Sequence, residues 1–463
     1  MVKSEKTLSP SIVKPNILFI IIDSFRADKF YGPTKTSVTP NIDLLIKNGS
    51  YFKQAISSAD GTIPSCSSIF TAKYPFKTGV RTAHFNKLNK DVKTYFEVLK
   101  EQKYPFYSYL PTVLDKVGLF PDFENDDYFY DSFLGISNGL GDKIITKLHS
   151  SLKEPWFFLV HAMDLHQPIV VPKEFDNVKF GTNYYEKKIS NLDVWIGKIL
   201  QHIDLETTIL VITGDHGSYI QSSIIDDKQI NTNSNSNLDI VISKLARKTP
   251  KALMPLKEKL FFLREQITKK KKSRITKNLD LAPHEKRALL AGRADMDHYL
   301  FDEQICIPLL FVGHNVPEGK IIPDQVGAID IFPTLSELIE TSPIENTDGR
   351  SLLNLMKGKT LVELPIYIES NPLVLVKSND VIGIRTSKYK YFRDTNDQNK
   401  RVHLYDLVND PNEDYNIQEN NPQKILELEK ILQEILKDTS ILNTENDQES
   451  EEIAKELRKL GYF

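Results

Sequence analysis

Three short apolar segments, each followed at once by carboxylate or imidazole side chains, constrain the fold of this chain more than any other feature. The segments are 17–22, which precedes Asp23, 156–160, which precedes His161, Asp164 and His166, and 209–213, which precedes Asp215 and His216. Segments that are apolar on both faces are typical of parallel strands covered by helices on both sides. Ligands bind beyond the carboxyl ends of such strands. We therefore predict that all three segments deliver their polar residues to one edge of a sheet.

The segments between these strands have helical or strand patterns. Residues 39–49 and 184–203 carry helical spacing, and 305–312 reads as another strand. From residue 361 the pattern changes to short strands and turns, followed by acidic helical stretches. We predict an α/β catalytic domain over 14–340, with a mostly parallel central sheet and helices on both faces. A smaller C-terminal α+β subdomain with a helical tail is predicted over 341–463.

Composition bears on the compartment in which the chain works. Two cysteines, Cys66 and Cys306, cannot form a disulfide framework, and this favours a reducing compartment. The longest apolar segment near the N-terminus has six residues, whereas a membrane-spanning helix needs about 20. We therefore expect a cytoplasmic protein that does not cross a membrane.

A basic insert, placed at about 225–290, interrupts the α/β pattern. Residues 243–277 hold thirteen Lys and Arg against two Glu, a local net charge of +11, although the whole chain has a net charge of -3. Apolar residues share one helical face there: Leu253, Leu256, Leu260, Leu263 and Ile267. One interpretation is peripheral contact with an anionic membrane on its inner face. The other is a solvated surface segment whose apolar face packs on the protein. No nucleic-acid-binding motif is present, so we expect no nucleic acid partner.

Asp23, Thr62, Asp215 and His216 form the candidate site on chemical grounds. Two carboxylates and an imidazole suit one divalent ion, with Mn, Zn, Mg and Ca as candidates. Thr62 precedes a predicted helix that begins near Pro64, where the positive end of the helix favours an oxyanion. Metal coordination would make its hydroxyl a nucleophile. The alternative is that Thr62 is only a helix cap and Asp23 a turn residue.

A set of motifs in a fixed order carries a family resemblance. The motifs are 15–28, 39–45, 64–75, 157–168, Thr213-Gly-Asp-His-Gly217, 300–310, 329–334, 349–353, 404–411 and 457–462. In this order they resemble the sulfatase family of the alkaline-phosphatase-like superfamily, from about Lys14 to the C-terminus. The resemblance implies the alkaline-phosphatase-like fold and hydrolysis or transfer of sulfate or phosphate esters.

Departures from the family pattern alter the expected chemistry. In the resemblance, Thr62 stands where the family has the Cys or Ser that is oxidised to formylglycine, and Cys66 stands where it has Arg. We therefore expect no formylglycine. A Thr nucleophile resembles that of superfamily members that act on phosphate esters and diesters. Ser24 stands in place of a second metal-binding Asp, and His216 in place of an Asn, which favours Mn or Zn over calcium.

The same resemblance implies roles for two further histidines. His166 matches the histidine that contacts the ester oxyanion, although Leu165 replaces the family's proline. His298 matches the residue that binds the transferring group or protonates the leaving oxygen, and its imidazole could act as a general acid. His161 and Asp164 could instead complete a second metal site.

Three functional interpretations follow. The leading one is a metal-dependent hydrolase or transferase that uses Thr62 as nucleophile on a small-molecule, glycan-linked or lipid-linked ester, with phosphate esters or phosphodiesters favoured. The second is a sulfuric ester hydrolase that works without formylglycine. The third is an inactive family member that serves as a binding or scaffold protein.

Overall fold

The computed structural model describes residues 14–80, 87–130, 134–150, 152–225, 228–232, 266–291, 300–370 and 380–437. The strands in these ranges are β1 (Asn16–Ile22), β2 (Gly49–Ile56), β3 (Phe106–Pro111), β4 (Phe129–Tyr130), β5 (Phe157–Ala162), β6 (Thr208–Gly214), β7 (Ser222–Ile225), β8 (Lys228–Asn231), β9 (Cys306–Gly313), β10 (Lys320–Gly327), β11 (Ile366–Ser370), β12 (Val381–Arg385), β13 (Tyr389–Asp394) and β14 (His403–Asp406).

Helices in the same ranges lie between and beside these strands. They are α1 (Ala27–Phe30), α2 (Pro40–Lys47), α3 (Thr62–Thr71), α4 (Pro75–Thr78), α5 (Tyr95–Glu101), α6 (Leu140–His149), α7 (Tyr184–Leu200), α8 (Pro283–Leu290), α9 (Asp302–Ile305), α10 (Ile331–Leu338), α11 (Leu353–Met356) and α12 (Pro422–Leu436). A further helical segment covers 266–276.

The central sheet has eight strands in the order β10-β2-β9-β6-β1-β5-β3-β4. β1 pairs in parallel with both β5 and β6, β5 with β3, and β3 with β4. β9 is antiparallel to both of its neighbours, β2 and β6. The carboxyl ends of β6, β1 and β5 therefore lie side by side at one edge, as the three apolar segments predict.

Both faces of the inner strands β1, β5 and β6 are buried, which explains why these strands are mostly apolar. In β1, Phe19 packs into one hydrophobic cluster and Leu18 and Ile20 into another. The first cluster includes Phe332 of α10, and the second includes Ile189 of α7. Side chains alternate between the faces of a strand, so a strand covered on both sides is mostly apolar until it ends, and a polar residue within it, such as His161 of β5, is buried.

A smaller antiparallel sheet, β11-β12-β13-β14, follows in the C-terminal part of the chain. Helix α12 packs on it through the buried residues Leu428 and Leu432. The sheet also reaches the central one, because Glu369 N donates to Ser58 O at 2.9 Å and Ser370 Oγ donates to Asp60 Oδ2 at 2.7 Å. The C-terminal strands therefore support the segment that leads into Thr62.

The observed architecture confirms the predicted fold class, a mostly parallel sheet between helices with a small C-terminal α+β part. The predicted helices at 39–49 and 184–203 correspond to α2 and α7, and the predicted strand at 305–312 corresponds to β9. Sequence patterns did not indicate that β9 runs antiparallel. That orientation places its first residues, beginning at Cys306, at the same edge as Asp23.

Candidate active site

The ends of β1 and β6 place two buried carboxylates next to each other. Asp23 follows β1 and Asp215 follows β6, and both side chains are excluded from solvent. Because these strands are parallel neighbours in register, with Ile22 opposite Gly214, the residues that follow them must meet. This is the juxtaposition that the sequence predicts.

Ser24 orients both carboxylates. Its backbone N donates to Asp215 Oδ1 at 3.0 Å, and its hydroxyl donates to Asp23 Oδ1 at 2.7 Å. Its φ of 62° lies in the left-handed region, which a serine adopts only when neighbouring contacts hold it there. The Oδ1 atoms are thereby engaged, and the Oδ2 atoms are left to face the centre of the site.

His216 presents a ring nitrogen to the same centre. Its Nδ1 lies 2.7 Å from the carbonyl oxygen of Gly217, an arrangement in which Nδ1 carries the proton and Nε2 keeps its lone pair. Gly217 is required here, because a Cβ at this position would overlap the carbonyl oxygen of Glu303. The Gly-Asp-His-Gly motif thus fixes the orientation of the imidazole.

Thr62 lies between the carboxylate and the imidazole. Its Oγ1 donates to Asp23 Oδ2 at 3.1 Å and lies 3.3 Å from His216 Nε2. It is the first residue of α3, and Gly61 occupies the N-cap position. The alternative that Thr62 serves as a helix cap is therefore wrong, because its hydroxyl points to the carboxylate and the imidazole.

The donor set fits a divalent metal ion. One ligand atom each from Asp23, Asp215 and His216 can be chosen so that all lie within 4.8 Å of one another. Asp215 Oδ2 is buried and has no hydrogen-bond partner among the described residues. A buried carboxylate oxygen without a partner is costly unless a cation compensates it. Carboxylate and imidazole donors together suit Zn or Mn as well as harder ions.

Electrostatic coupling among these groups is strong. Burial raises the pKa of Asp23, but the imidazoles of His166, His161 and His216 outweigh that effect and hold it well below its ordinary value. Burial lowers the pKa of His216, but Asp215 and Asp23 outweigh it and raise the pKa above its ordinary value. Each ionised group therefore stabilises its neighbours' charges.

The other residues predicted from the sequence differ in their burial and in their contacts. His166 is half-buried and close enough for its charge to act on the Asp23 carboxylate. Cys66 is fully buried within α3, and burial raises the pKa of its thiol. Asp164 instead accepts hydrogen bonds from the backbone N atoms of Ile136 and Ser137, so it does not complete a second metal site with His161. His298 lies outside the described residues.

Sequence reasoning missed two residues that support the site. Tyr185 of α7 is buried, donates its hydroxyl to Ser24 O at 2.6 Å and accepts from Arg26 N at 2.9 Å. Burial raises the pKa of Asp60, which lies two residues before Thr62, to about 6. Neither has a local sequence signal, because each acts through contacts with residues more than 150 positions away in the chain.

The described part of the basic insert has two faces. Exposed cations occupy one of them: Lys269, Lys270, Lys271, Arg274 and Lys277. Ile267 and Ile275 are 58% and 41% exposed on the same segment. Lys272, by contrast, is buried and donates to Gln221 Oε1 and to Ala291 O. Ile267 is therefore largely unpacked among the described residues, and Lys272, one of the four consecutive lysines, is structural. The other four apolar positions of the predicted face lie outside the described residues.

A family comparison agrees with this geometry. The family model described as Sulfatase matches residues 15–341. The chain belongs to the sulfatase family. The model described as N-sulphoglucosamine sulphohydrolase, C-terminal, matches residues 295–441, which includes the small antiparallel sheet.

Curated relatives are distant. A protein named Sulfatase from Formosa agariphila is 21% identical over 465 residues, which cover 88% of this chain and 84% of that protein. Arylsulfatase K from Gallus gallus is 26% identical over 161 residues, and the match covers 34% of this chain and 30% of that protein. The sulfatase-family chain thus aligns with less than a third of arylsulfatase K.

Solved structures share the fold. The phosphonate monoester hydrolase of Agrobacterium radiobacter has a TM-score of 0.67 at 15% identity, with 92% of this chain and 96% of that chain covered. A 2-O GAG sulfatase has a TM-score of 0.62 at 16% identity, with 92% of each chain covered. At such identities the likeness establishes the fold and leaves the substrate open.

None of the described helices is both long enough and apolar enough to cross a bilayer.

Proposed function

We propose that this sulfatase-family protein is a metal-dependent ester hydrolase or transferase in which Thr62 is the nucleophile and phosphate esters or phosphodiesters are the favoured substrates. The position of Thr62 Oγ1, 3.1 Å from Asp23 Oδ2 and 3.3 Å from His216 Nε2, carries this proposal. Asp23, Asp215, His216 and Thr62 would hold the ion, with Mn or Zn favoured. When bound, the ion would lower the pKa of the Thr62 hydroxyl and offset charge on the transferring group.

Access and electrostatics favour Thr62 over Cys66 as the attacking residue. Thr62 is half-exposed at the start of α3, whereas Cys66 is fully buried. The thiol also has a raised pKa, which keeps it protonated and weakly nucleophilic. The N-terminus of α3 adds partial positive charge next to Thr62 Oγ1, where an oxyanion is favoured. His166 carries an imidazole close to the same carboxylates, which suits contact with an anionic ester.

Phosphorus is favoured because a threonine ester intermediate must be hydrolysed by water. A formylglycine diol can expel sulfate by elimination, whereas a threonine alkoxide has no such route. Phosphate esters and diesters are compatible with a threonyl ester intermediate. The absence of formylglycine is part of this proposal. The two alternatives are a sulfuric ester hydrolase that works without formylglycine and an inactive binding protein.

Paired assays with a phosphate monoester, a phosphodiester and a sulfate ester test this proposal. Thr62→Ala should abolish turnover, Thr62→Ser should retain part of it, and Cys66→Ala should retain nearly all. Preferred turnover of the sulfate ester by the parent protein would support the first alternative. If no ester is turned over by the metal-loaded parent, the second alternative is favoured. Full activity of Thr62→Ala together with loss in Cys66→Ala would contradict the assignment of the nucleophile.

We further propose that the exposed cations of 266–277 contact an anionic membrane surface on its cytoplasmic side. Basic side chains interspersed with exposed Ile267 and Ile275 suit a bilayer interface better than plain solvent. Lys272 anchors this segment to Gln221, six residues beyond Asp215 in the chain. Suitable substrates would then include an ester in a lipid headgroup and an ester in a lipid-linked glycan.

A further inference from the structure

His161 is a buried histidine that has no role in the site as described so far. It is neither the proposed nucleophile, Thr62, nor one of the three proposed metal ligands. It is the fifth residue of β5 and is 0% exposed. Neither of its ring nitrogens makes a hydrogen bond within the described part of the chain. A fully buried imidazole with two unsatisfied nitrogens is rare, because each unpaired polar atom costs about 1–3 kcal/mol.

The surroundings of its Nε2 atom are specific. Nε2 lies 3.5 Å from Asp215 Oδ2 and 3.7 Å from Asp23 Oδ2, the two oxygens that face the centre of the site. A charged imidazole hydrogen-bonded to a carboxylate would approach to about 2.7–2.9 Å. The observed separations are too long for that bond, and they are nearly equal for both carboxylates.

These separations are close to the contacts between ligands of one ion. Bonds of about 2.0–2.1 Å in a tetrahedral shell place neighbouring donor atoms about 3.3–3.5 Å apart. His161 Nε2 to Asp215 Oδ2 is 3.5 Å and lies at the upper end of this range. His161 Nε2 to Asp23 Oδ2 and His216 Nε2 to Asp215 Oδ2 are 3.7 Å each and slightly exceed it. β5 and β6 flank β1 on opposite sides, so the two imidazoles reach Asp23 and Asp215 from different strands.

We propose that His161 is a further metal ligand, so that two imidazoles and two carboxylates would supply the four donors of a tetrahedral shell and Thr62 Oγ1 would add a fifth. This inference rests on the proposed metal-dependent function. It adds a ligand to the same metal site, and that ligand belongs to a fully buried position of β5. A second imidazole shifts the ligand set from hard oxygen donors toward the nitrogen-rich sets that suit Zn, Mn or Co over calcium.

Cobalt(II) titration of chelator-treated protein tests the assignment without an activity assay. The parent protein should bind Co²⁺ with the visible absorption of a low-coordinate nitrogen and oxygen site. His161→Gln should weaken binding by at least about tenfold, the lower end of what outer-shell partners contribute, and should alter the spectrum. His314→Gln is the matched control, because His314 contacts Glu206 O and Thr208 O at the opposite end of β6. Unchanged affinity and spectrum in His161→Gln would overturn the proposal.

A third variant separates this inference from the function on which it rests. If Asp215→Asn loses Co²⁺ binding and His161→Gln does not, only the role of His161 is wrong. If both variants bind like the parent, the metal site itself is wrong. X-ray absorption on the zinc-loaded parent protein avoids any folding defect of the variants. Two imidazole ligands are expected in that measurement, and a single imidazole would overturn the proposal.

Discussion

Removing the Tyr185 hydroxyl tests whether its hydrogen bonds stabilise the backbone that follows Asp23. Tyr185→Phe removes one oxygen atom and leaves the buried ring in place, so no cavity forms. Two backbone groups then lose their partner: Ser24 O, which accepts at 2.6 Å, and Arg26 N, which donates at 2.9 Å. An unsatisfied buried group costs about 1–3 kcal/mol, and Arg26 N, which is only partly buried, lies at the low end of that range. We expect the free energy of unfolding to fall by about 2–4 kcal/mol.

Urea unfolding followed by circular dichroism measures this change. Tyr31→Phe is the matched control, since its hydroxyl makes no hydrogen bond to the described residues while its ring packs on Tyr51. The variant should also bind the metal ion more weakly, because Ser24 orients both carboxylates. A loss in Tyr185→Phe of less than about 0.5 kcal/mol, or equal losses in both variants, would refute the reasoning.

Three further predictions follow from other parts of the molecule. Lys390 is fully buried and pairs with Asp302 and Glu413 at 2.6 Å each, so Lys390→Met should destabilise the fold by about 3–5 kcal/mol in thermal or urea unfolding; a neutral effect would contradict this. Asp60 has a pKa of about 6 in the folded protein against an ordinary value of 3.8, so between pH 4 and 6 the folded state binds more protons than the unfolded state. The parent should therefore lose stability relative to Asp60→Asn as pH rises through that window, and parallel profiles would refute this. Replacing the exposed cations with Gln should reduce sedimentation with phosphatidylserine vesicles, whereas Lys272→Gln should chiefly lower stability; equal sedimentation of the parent and the Gln variant would contradict the membrane contact. The exposed cations to be replaced are Lys269, Lys270, Lys271, Arg274 and Lys277.

Much of the site could be predicted because it lies at the ends of strands. Asp23 and Asp215 follow apolar segments that are predicted to be buried strands of one sheet, and the parallel register of β1 and β6 then brings the residues together. Thr62 and His216 are predicted from their chemistry, and the family resemblance supports both. What the sequence could not indicate depends on contacts that are distant in the chain and on backbone geometry. The left-handed conformation of Ser24 and the hydroxyl of Tyr185 are examples, since neither has a periodic or motif signal.

His161 illustrates the same limit in another way. Its position after an apolar segment predicts a location at the functional edge, but a buried histidine there could equally form a hydrogen bond in the core. Only the two separations from the carboxylates and the missing hydrogen bonds distinguish a ligand from a structural residue. The antiparallel direction of β9 is likewise set by tertiary packing, because the apolar pattern of a strand does not indicate its direction.

A covalent ester on Thr62 is the central claim, and trapping it is the most direct test. Metal-loaded protein mixed with a phosphodiester should be quenched with acid during turnover, digested and analysed by mass spectrometry. We expect Thr62 Oγ1 to carry the phosphoryl group with one ester group of the substrate still attached, because only the other ester group leaves as its alcohol. This adduct should lie in the peptide that contains both Thr62 and Cys66, with Cys66 unmodified. An adduct on Cys66, or steady turnover with no adduct on Thr62 at any quench time, would contradict it.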